Sequence, residues 1–252
     1  MFSHTVDLGR FGVSSSNGLQ ALLGKKQLKR IIKEKRFTDG LVCFQGMEIV
    51  YNDNHSLIGM LEEIFVRKVF SVNLDTQIPY IIDCGANIGL FSIFMKMQYP
   101  SSEIIAFEPD PNICKLFNRN IKNNDISGVT LYEKALWTST GMVKFKPDSS
   151  WGGKVIGEGV SAQSDITVPC VDIASFLDRS IDFLKIDIEG AEEQVIEKNM
   201  ELLLRNLNYL VFEWHSHSMN KQSLGKILYA FERAGFSYKL CLLYTSPSPR
   251  DS

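Results

Sequence analysis

The sequence predicts an α/β fold, doubly wound around a mostly parallel sheet, and three observations carry that expectation. From Tyr80 onward, short apolar runs alternate with longer segments of helical period, the pattern of a parallel sheet covered by helices on both faces. The first of these runs, "YIIDCGANIGLF" (Tyr80 to Phe91), passes from β-branched residues through an acid, Asp83, into a glycine turn and then an apolar helix. A second acid, Glu108, ends the next apolar run. The length of 252 residues accommodates one such domain.

The elements follow in order. Residues 1–79 read as an N-terminal extension on the substrate side, made of a basic helix around "KKQLKRIIKEKR", a hairpin "LVCFQGMEIVYND" and a helix "SLIGMLEEIFVRKVF". Residues 80–241 form the main domain. Its strands are "YIIDC", "EIIAFE", "VTLYE", "DFLKID", "YLVFEW" and, beginning at Phe236, "FSYKL". The helix "PDPNICKLFNRNIKNN" has a clear start, with Asp110 as N-cap and Pro111 in its first turn. Ile113, Leu116, Phe117 and Ile121 then fall on one face. The helix "SLGKILYAFERAG" ends at Gly235. Residues 138–165 are rich in Gly and Ser and read as a long irregular loop, a feature that usually serves binding. Within it, the segment from Asp148 to Ser164, with Trp151 and four glycines, is expected to close over the site as a lid. Residues 242–252, "LLYTSPSPRDS", lack any hydrophobic period and read as a non-native tail, so the natural C-terminus is expected to be missing.

Composition excludes several classes. A formal net charge of −2 gives no general attraction to nucleic acid or anionic membranes. The basic helix is interrupted by Glu34 and reads as a solvated face. Five cysteines without a C-x-x-C pair argue against a disulfide framework or a zinc site and for a reducing, cytoplasmic setting. No apolar run approaches the roughly 18 residues of a membrane span.

The glycine turn indicates the ligand. In open α/β sheets, ligands bind beyond the carboxyl ends of the strands, at the point where strand order reverses. The glycines are spaced Gly85-x-x-x-Gly89 with Asn87 between them, which is not the G-x-G-x-x-G grip for a pyrophosphate. An acid before the turn favours a ligand carrying a positive group. Glu108 lies roughly 20 residues on, where a carboxylate accepts from a ribose diol. A nucleoside with a cation and no phosphates fits both, and S-adenosylmethionine (SAM) is such a molecule.

At these residues the chain resembles the FkbM-type family of SAM-dependent methyltransferases. "IIDCGANIGLFS", "AFEPDP", "LYEKALW", "FLKIDIEGAE" and "VFEWH" follow that family's pattern in order. The resemblance implies a Rossmann-like class I methyltransferase fold and methylation of an oxygen, on a sugar, a glycan or a small natural product. That fold closes with an antiparallel seventh strand, which the tail displaces here.

The cofactor residues expected on this basis are Asp83, Cys84, Gly85, Ala86, Asn87 and Gly89 for the methionine end, and Glu108 with Pro109 for the ribose. Ala135 and Leu136, with Trp137 beside them, are expected to pack on the adenine. On the acceptor side, Asp187, Glu189 and Gly190 are expected to open toward the substrate, with Asp187 orienting the hydroxyl or holding a metal; Glu213 and His215 end the next strand as catalytic candidates, His215 as general base with His217 as a weaker rival. Lys185 lies on the same side of its strand as Asp187 and can partner an acid. No dedicated metal-ligand set is expected, although a divalent metal shared by Asp187 and Glu213 would replace the base. Two other classes compete. A non-catalytic SAM-binding module would keep Asp83 and Glu108 without acceptor-side chemistry. A nicotinamide-dependent oxidoreductase is disfavoured by the glycine spacing.

Overall fold

A computed structural model of the chain describes residues 15–147, 153–156, 165–215 and 223–240. Helices α1 (Ser15–Leu23) and α2 (Lys25–Lys33) lead into the hairpin of β1 (Gly40–Phe44) and β2 (Met47–Tyr51). Helix α3 (Asn54–Leu61) follows, capped by Asp53, whose carboxylate accepts from the Ser56 amide at 3.1 Å. It runs directly into a π-helical turn, Glu62–Val66. The main domain then lays down β3 (Tyr80–Cys84), α4 (Leu90–Gln98), β4 (Glu103–Phe107), α5 (Pro111–Asn123) and β5 (Val129–Tyr132). Next come β6 (Ala135–Trp137), β7 (Gly141–Lys146), β8 (Lys154–Ile156) and β9 (Ile166–Asp172), and then β10 (Phe183–Ile186), α6 (Glu192–Asn206), β11 (Leu210–Phe212) and α7 (Leu224–Arg233).

The central sheet has five strands in the order β11-β10-β3-β4-β5, and every pairing in it is parallel. The chain works outward from β3 through β4 to β5, then returns to the other side of β3 with β10. The switch point therefore lies between β3 and β10, where bound ligands are expected in such sheets. Register brings the carboxyl ends together, with Cys84 opposite both Phe107 and Ile186.

Two apolar layers hold the sheet. One joins Ile81, Phe91 and Phe183 to Leu19, Ile31, Ile49 and Leu57, so the N-terminal elements share a core with the main domain. The other joins Ile82, Leu184 and Ile186 to Val195 and Ile196 of α6 and Phe231 of α7. Asn120 of α5, fully buried, accepts from the Val50 amide at 2.7 Å and donates to the carbonyls of Val50 and Ile88. That side chain ties the hairpin to the loop after β3. Among the described residues, no helix is long and apolar enough to cross a membrane.

Two expectations are corrected. Residues 138–165 are not one irregular loop: β7 and β8 lie there and join β6 and β9 in a second sheet, ordered β6-β9-β7-β8. The reason is a short alternation. Val143 and Phe145 of β7, Val155 of β8 and Val168 and Cys170 of β9 pack together, which a Gly- and Ser-rich composition concealed. The sixth strand expected at Phe236 is also absent among the described residues, because Phe236 is spent on ending α7. Its amide donates to the Phe231 carbonyl at 3.0 Å, its ring packs on Phe231 at 5.2 Å, and Gly235 turns left-handed between them (φ 92°). Trp151, most of the expected lid and the tail after Leu242 lie outside the described residues.

Candidate functional site

The turn after β3 is built on the end of β4. The amides of Gly85 and Ala86 both donate to the Phe107 carbonyl, at 3.1 and 2.9 Å. Gly85, Asn87 and Gly89 all have positive φ, at 80°, 48° and 90°. For Gly85 this is more than a conformational preference: a Cβ there would stand 1.7 Å from the Asp187 carbonyl oxygen. The turn thus presses against the end of β10, and only glycine fits.

Glu108 closes the other side. One carboxylate oxygen accepts from the Asn87 amide at 3.0 Å and the other from the Asp110 amide at 2.9 Å. Burial raises its pKa, those two hydrogen bonds pull it back, and the result is a value of about 7. Two of the expected groups, the glycine turn and the second strand-end acid, are therefore joined directly. Pro109 follows Glu108 in the same turn. Cys84 is fully buried at the end of β3, where its carbonyl accepts from the Asp187 amide at 3.0 Å.

Asp83 is 0% exposed, so its carboxylate faces protein. It accepts from the Ser92 hydroxyl at 2.7 Å and lies 3.5 Å from the Lys185 ammonium. Burial raises its pKa, opposed by Lys185 and Ser92. Lys185 also donates to the Gly85 carbonyl at 2.9 Å and stands 3.6 Å from Asp187. One buried cation therefore braces the glycine turn, the first strand-end acid and the acid after β10. Burial disfavours that charge, but Asp187 and Asp83 outweigh burial and raise its pKa.

Beyond β10 and β11 lies a second cluster. His215 Nδ1 is 3.0 Å from Glu192 Oε1, and its Nε2 faces Glu189 Oε2 at 3.4 Å and Glu213 Oε1 at 3.6 Å. Burial lowers the basicity of the imidazole, but the hydrogen bond to Glu192 and the charge of Glu189 overcome it and bring the pKa to about 9. His215 therefore holds its proton at neutral pH. Glu189 sits in a strained left-handed conformation (φ 55°) before Gly190 (φ 104°). Burial and the charges of Asp187 and Glu213 raise its pKa to about 7, against the pull of His215. Glu213 is raised as well, by burial and then by Asp187.

The structure adds one residue that the sequence reading missed. Glu63, on the π-helical turn, is raised to about 7 by burial and by the charges of Glu213 and Asp187. The signal was present: an acidic pair, Glu62-Glu63, interrupts the otherwise apolar "SLIGMLEEIFV". A π turn inserted in a helix is often found at a functional site. Ala135 and Leu136 lie on β6 and are both buried, Leu136 in the layer that contains Ile82 and Ile186. Trp137 packs on the second sheet's own core. His217 lies outside the described residues.

The model of the methyltransferase FkbM domain matches residues 83–238, more than half the chain. "Methyltransferase sdnD" of Sordaria araneosa is 31% identical over 202 residues, covering 64% of this chain and 76% of its own length. "Methyltransferase 1" of Beauveria bassiana is 28% identical over 159 residues, 54% of this chain, and the chain spans less than two thirds of that relative's length, 64%. A crystal structure of a methyltransferase FkbM from Methylobacillus flagellatus KT aligns at a TM-score of 0.41 and 15% identity, over 62% of this chain and 42% of that one. The glycine turn and Glu108 both fall inside the matched span, and by that match the chain belongs to the methyltransferase FkbM domain family.

Proposed function

We propose that the protein is a SAM-dependent methyltransferase that methylates a hydroxyl of a sugar, a glycan or a small natural product. The observation that carries this reading is the junction of Asn87 and Glu108 at the carboxyl ends of β3 and β4, next to the switch point, where the amide and the carboxylate meet at 3.0 Å.

The residues present suit SAM. Glu108 is a nearly buried carboxylate at the end of the second parallel strand, and a carboxylate has four lone-pair sites, more than the two amides use. It can hold a ribose diol without releasing the turn. The turn itself offers backbone at positive φ, open to close approach. Asp83 serves this site from behind, by fixing Lys185 and through it the Gly85 carbonyl. SAM, when bound, supplies an electrophilic methyl group.

The rest is the work of this chain's residues. Placing an acceptor oxygen correctly supplies much of the rate of such a transfer. Asp187, Glu213 and His215, at the carboxyl ends of β10 and β11, are proposed to place it, with Glu63 brought in by the N-terminal extension. We assign His215, which keeps its proton at neutral pH, to binding and orientation, and give the acceptor's proton to a carboxylate of the cluster. The N-terminal elements, sharing a core with the main domain, are proposed to form the acceptor side.

The test is incubation of the purified chain with methyl-labelled SAM and a panel of glycans, lipids, peptides and small alcohols. Label transferred to a hydroxyl compound supports the reading. Label on a peptide amine alone, or binding of NADH in place of SAM, overturns it.

A further inference from the structure

We infer that Asp187, Glu213 and the Nε2 atom of His215 form a binding site for a divalent first-row transition cation, with Glu189 supplying a further oxygen.

Four observations carry this inference. One ligand atom from each of Asp187, Glu213 and His215 can be chosen so that all lie within 4.8 Å of one another. The imidazole is oriented in the manner of a metal ligand: its Nδ1 is fixed by Glu192, which is 1% exposed and itself accepts from the amides of Ile188 and Gly190. A histidine that binds a metal almost always donates its other N–H to a carboxylate, a carbonyl or water; here the ion would take the place of the Nε2 proton, and the Nδ1 proton would stay on the bond to Glu192. The separations around Nε2, 3.4 Å to Glu189 and 3.6 Å to Glu213, are too long for good hydrogen bonds. They match the spacing of about 3.4 Å between ligands that each stand about 2.1 Å from a tetrahedral ion. Finally, acids outnumber cations: Glu63, Asp187, Glu189, Glu192 and Glu213 face Lys185, Arg67 and His215.

The donor set indicates the class of ion. One imidazole with several carboxylates suits manganese, iron or zinc better than calcium, which takes oxygen alone. An alcohol bound to such an ion would be more acidic and would give its proton more readily to a carboxylate of the cluster that does not hold the ion. That use of the site rests on the function proposed above, whereas binding of the cation does not.

The experiment uses the full chain, stripped with a chelator, and Mn²⁺ as the probe. Free Mn²⁺ is followed by electron paramagnetic resonance without SAM, and S-adenosylhomocysteine is titrated separately by calorimetry. One saturable Mn²⁺ site is expected, weakened at least tenfold in both His215→Ala and Glu213→Gln and unchanged in the exposed control Glu197→Gln. Circular dichroism checks folding, and should His215→Ala unfold, the size-conserving Glu213→Gln and Asp187→Asn carry the test. Absence of saturable Mn²⁺ binding, or binding untouched by Glu213→Gln and Asp187→Asn, overturns the site. S-adenosylhomocysteine binding without Mn²⁺ binding overturns the site and leaves the methyltransferase reading intact. Mn²⁺ binding without S-adenosylhomocysteine binding supports the site and counts against that reading.

Discussion

Replacing Lys185 by methionine isolates the buried cation that links the two halves of the site. The wild-type ammonium lies 3.5 Å from Asp83, 3.6 Å from Asp187 and 2.9 Å from the Gly85 carbonyl. Asp187, one third exposed, can turn to water when the lysine is gone, but Asp83 is wholly buried and keeps only Ser92. Removing one member of a buried pair costs about 3–5 kcal/mol, because the other charge is stranded. For a chain of this size that lowers Tm by roughly 6–20 °C. The penalty depends on pH with a definite sign. Burial already raises the Asp83 pKa, and loss of Lys185 raises it further. A carboxylate raised in the folded state loses stability as pH rises, so the gap to wild type should widen from pH 5 to pH 8. Urea unfolding at the two pH values measures it. Asp83→Asn/Lys185→Met, which removes both charges, should recover at least half of the loss. A penalty below about 1 kcal/mol, or no recovery in the double variant, would refute the bracing role.

Three further outcomes follow from the same geometry. Gly85→Ala should cost more than about 3 kcal/mol by chemical denaturation, since it adds a clash 1.7 Å from the Asp187 carbonyl to the left-handed strain. Gly190→Ala, with open space around it, should cost only the backbone strain of about 1–2 kcal/mol; equal losses would mean that the turn relaxes freely. Because burial brings the Glu108 pKa to about 7 and the ionised carboxylate holds a diol more strongly than the protonated acid, affinity for S-adenosylhomocysteine should fall up to roughly tenfold from pH 8 to pH 6. Glu108→Gln should flatten that profile in calorimetry. Asp53 caps α3 and receives Arg36 at 3.0 and 2.9 Å; burial opposes its charge, but bonds from Arg36 and Ser56 hold its pKa well below the usual range. Asp53→Ala should therefore cost about 2–3 kcal/mol near neutral pH, with the difference vanishing as acid protonates the wild-type carboxylate.

The central sheet was legible because its strands are short, mostly apolar runs that end at an acid or a turn. Asp110 capped α5 as its spacing implied, its carboxylate accepting from the Asn112 amide at 2.8 Å. The second sheet was not legible, because β7 and β8 alternate over only a few residues amid glycine and serine. At the site, the pairing of the glycine turn with Glu108 could be read from strand ends alone. The depth of Asp83 could not: its partner Lys185 lies 102 residues later, aligned with it only by the parallel register that sets Lys185 opposite Asp83. Glu63 was missed for a related reason. Its sequence position says nothing of Asp187 and Glu213, which reach it only when the N-terminal elements share a core with the sheet. The protonation state of His215 likewise follows from Glu189 and Glu192, whose approach depends on a left-handed residue at the end of β10.

Isothermal titration of S-adenosylhomocysteine into the wild-type chain and into Glu108→Ala, at pH 8, tests the account most directly. One site per chain is expected in the wild type, and a loss of at least about 1.5 kcal/mol in the variant, the scale of hydrogen bonds to a charged group. An affinity unchanged by Glu108→Ala, or no binding to a folded wild-type chain, would contradict it.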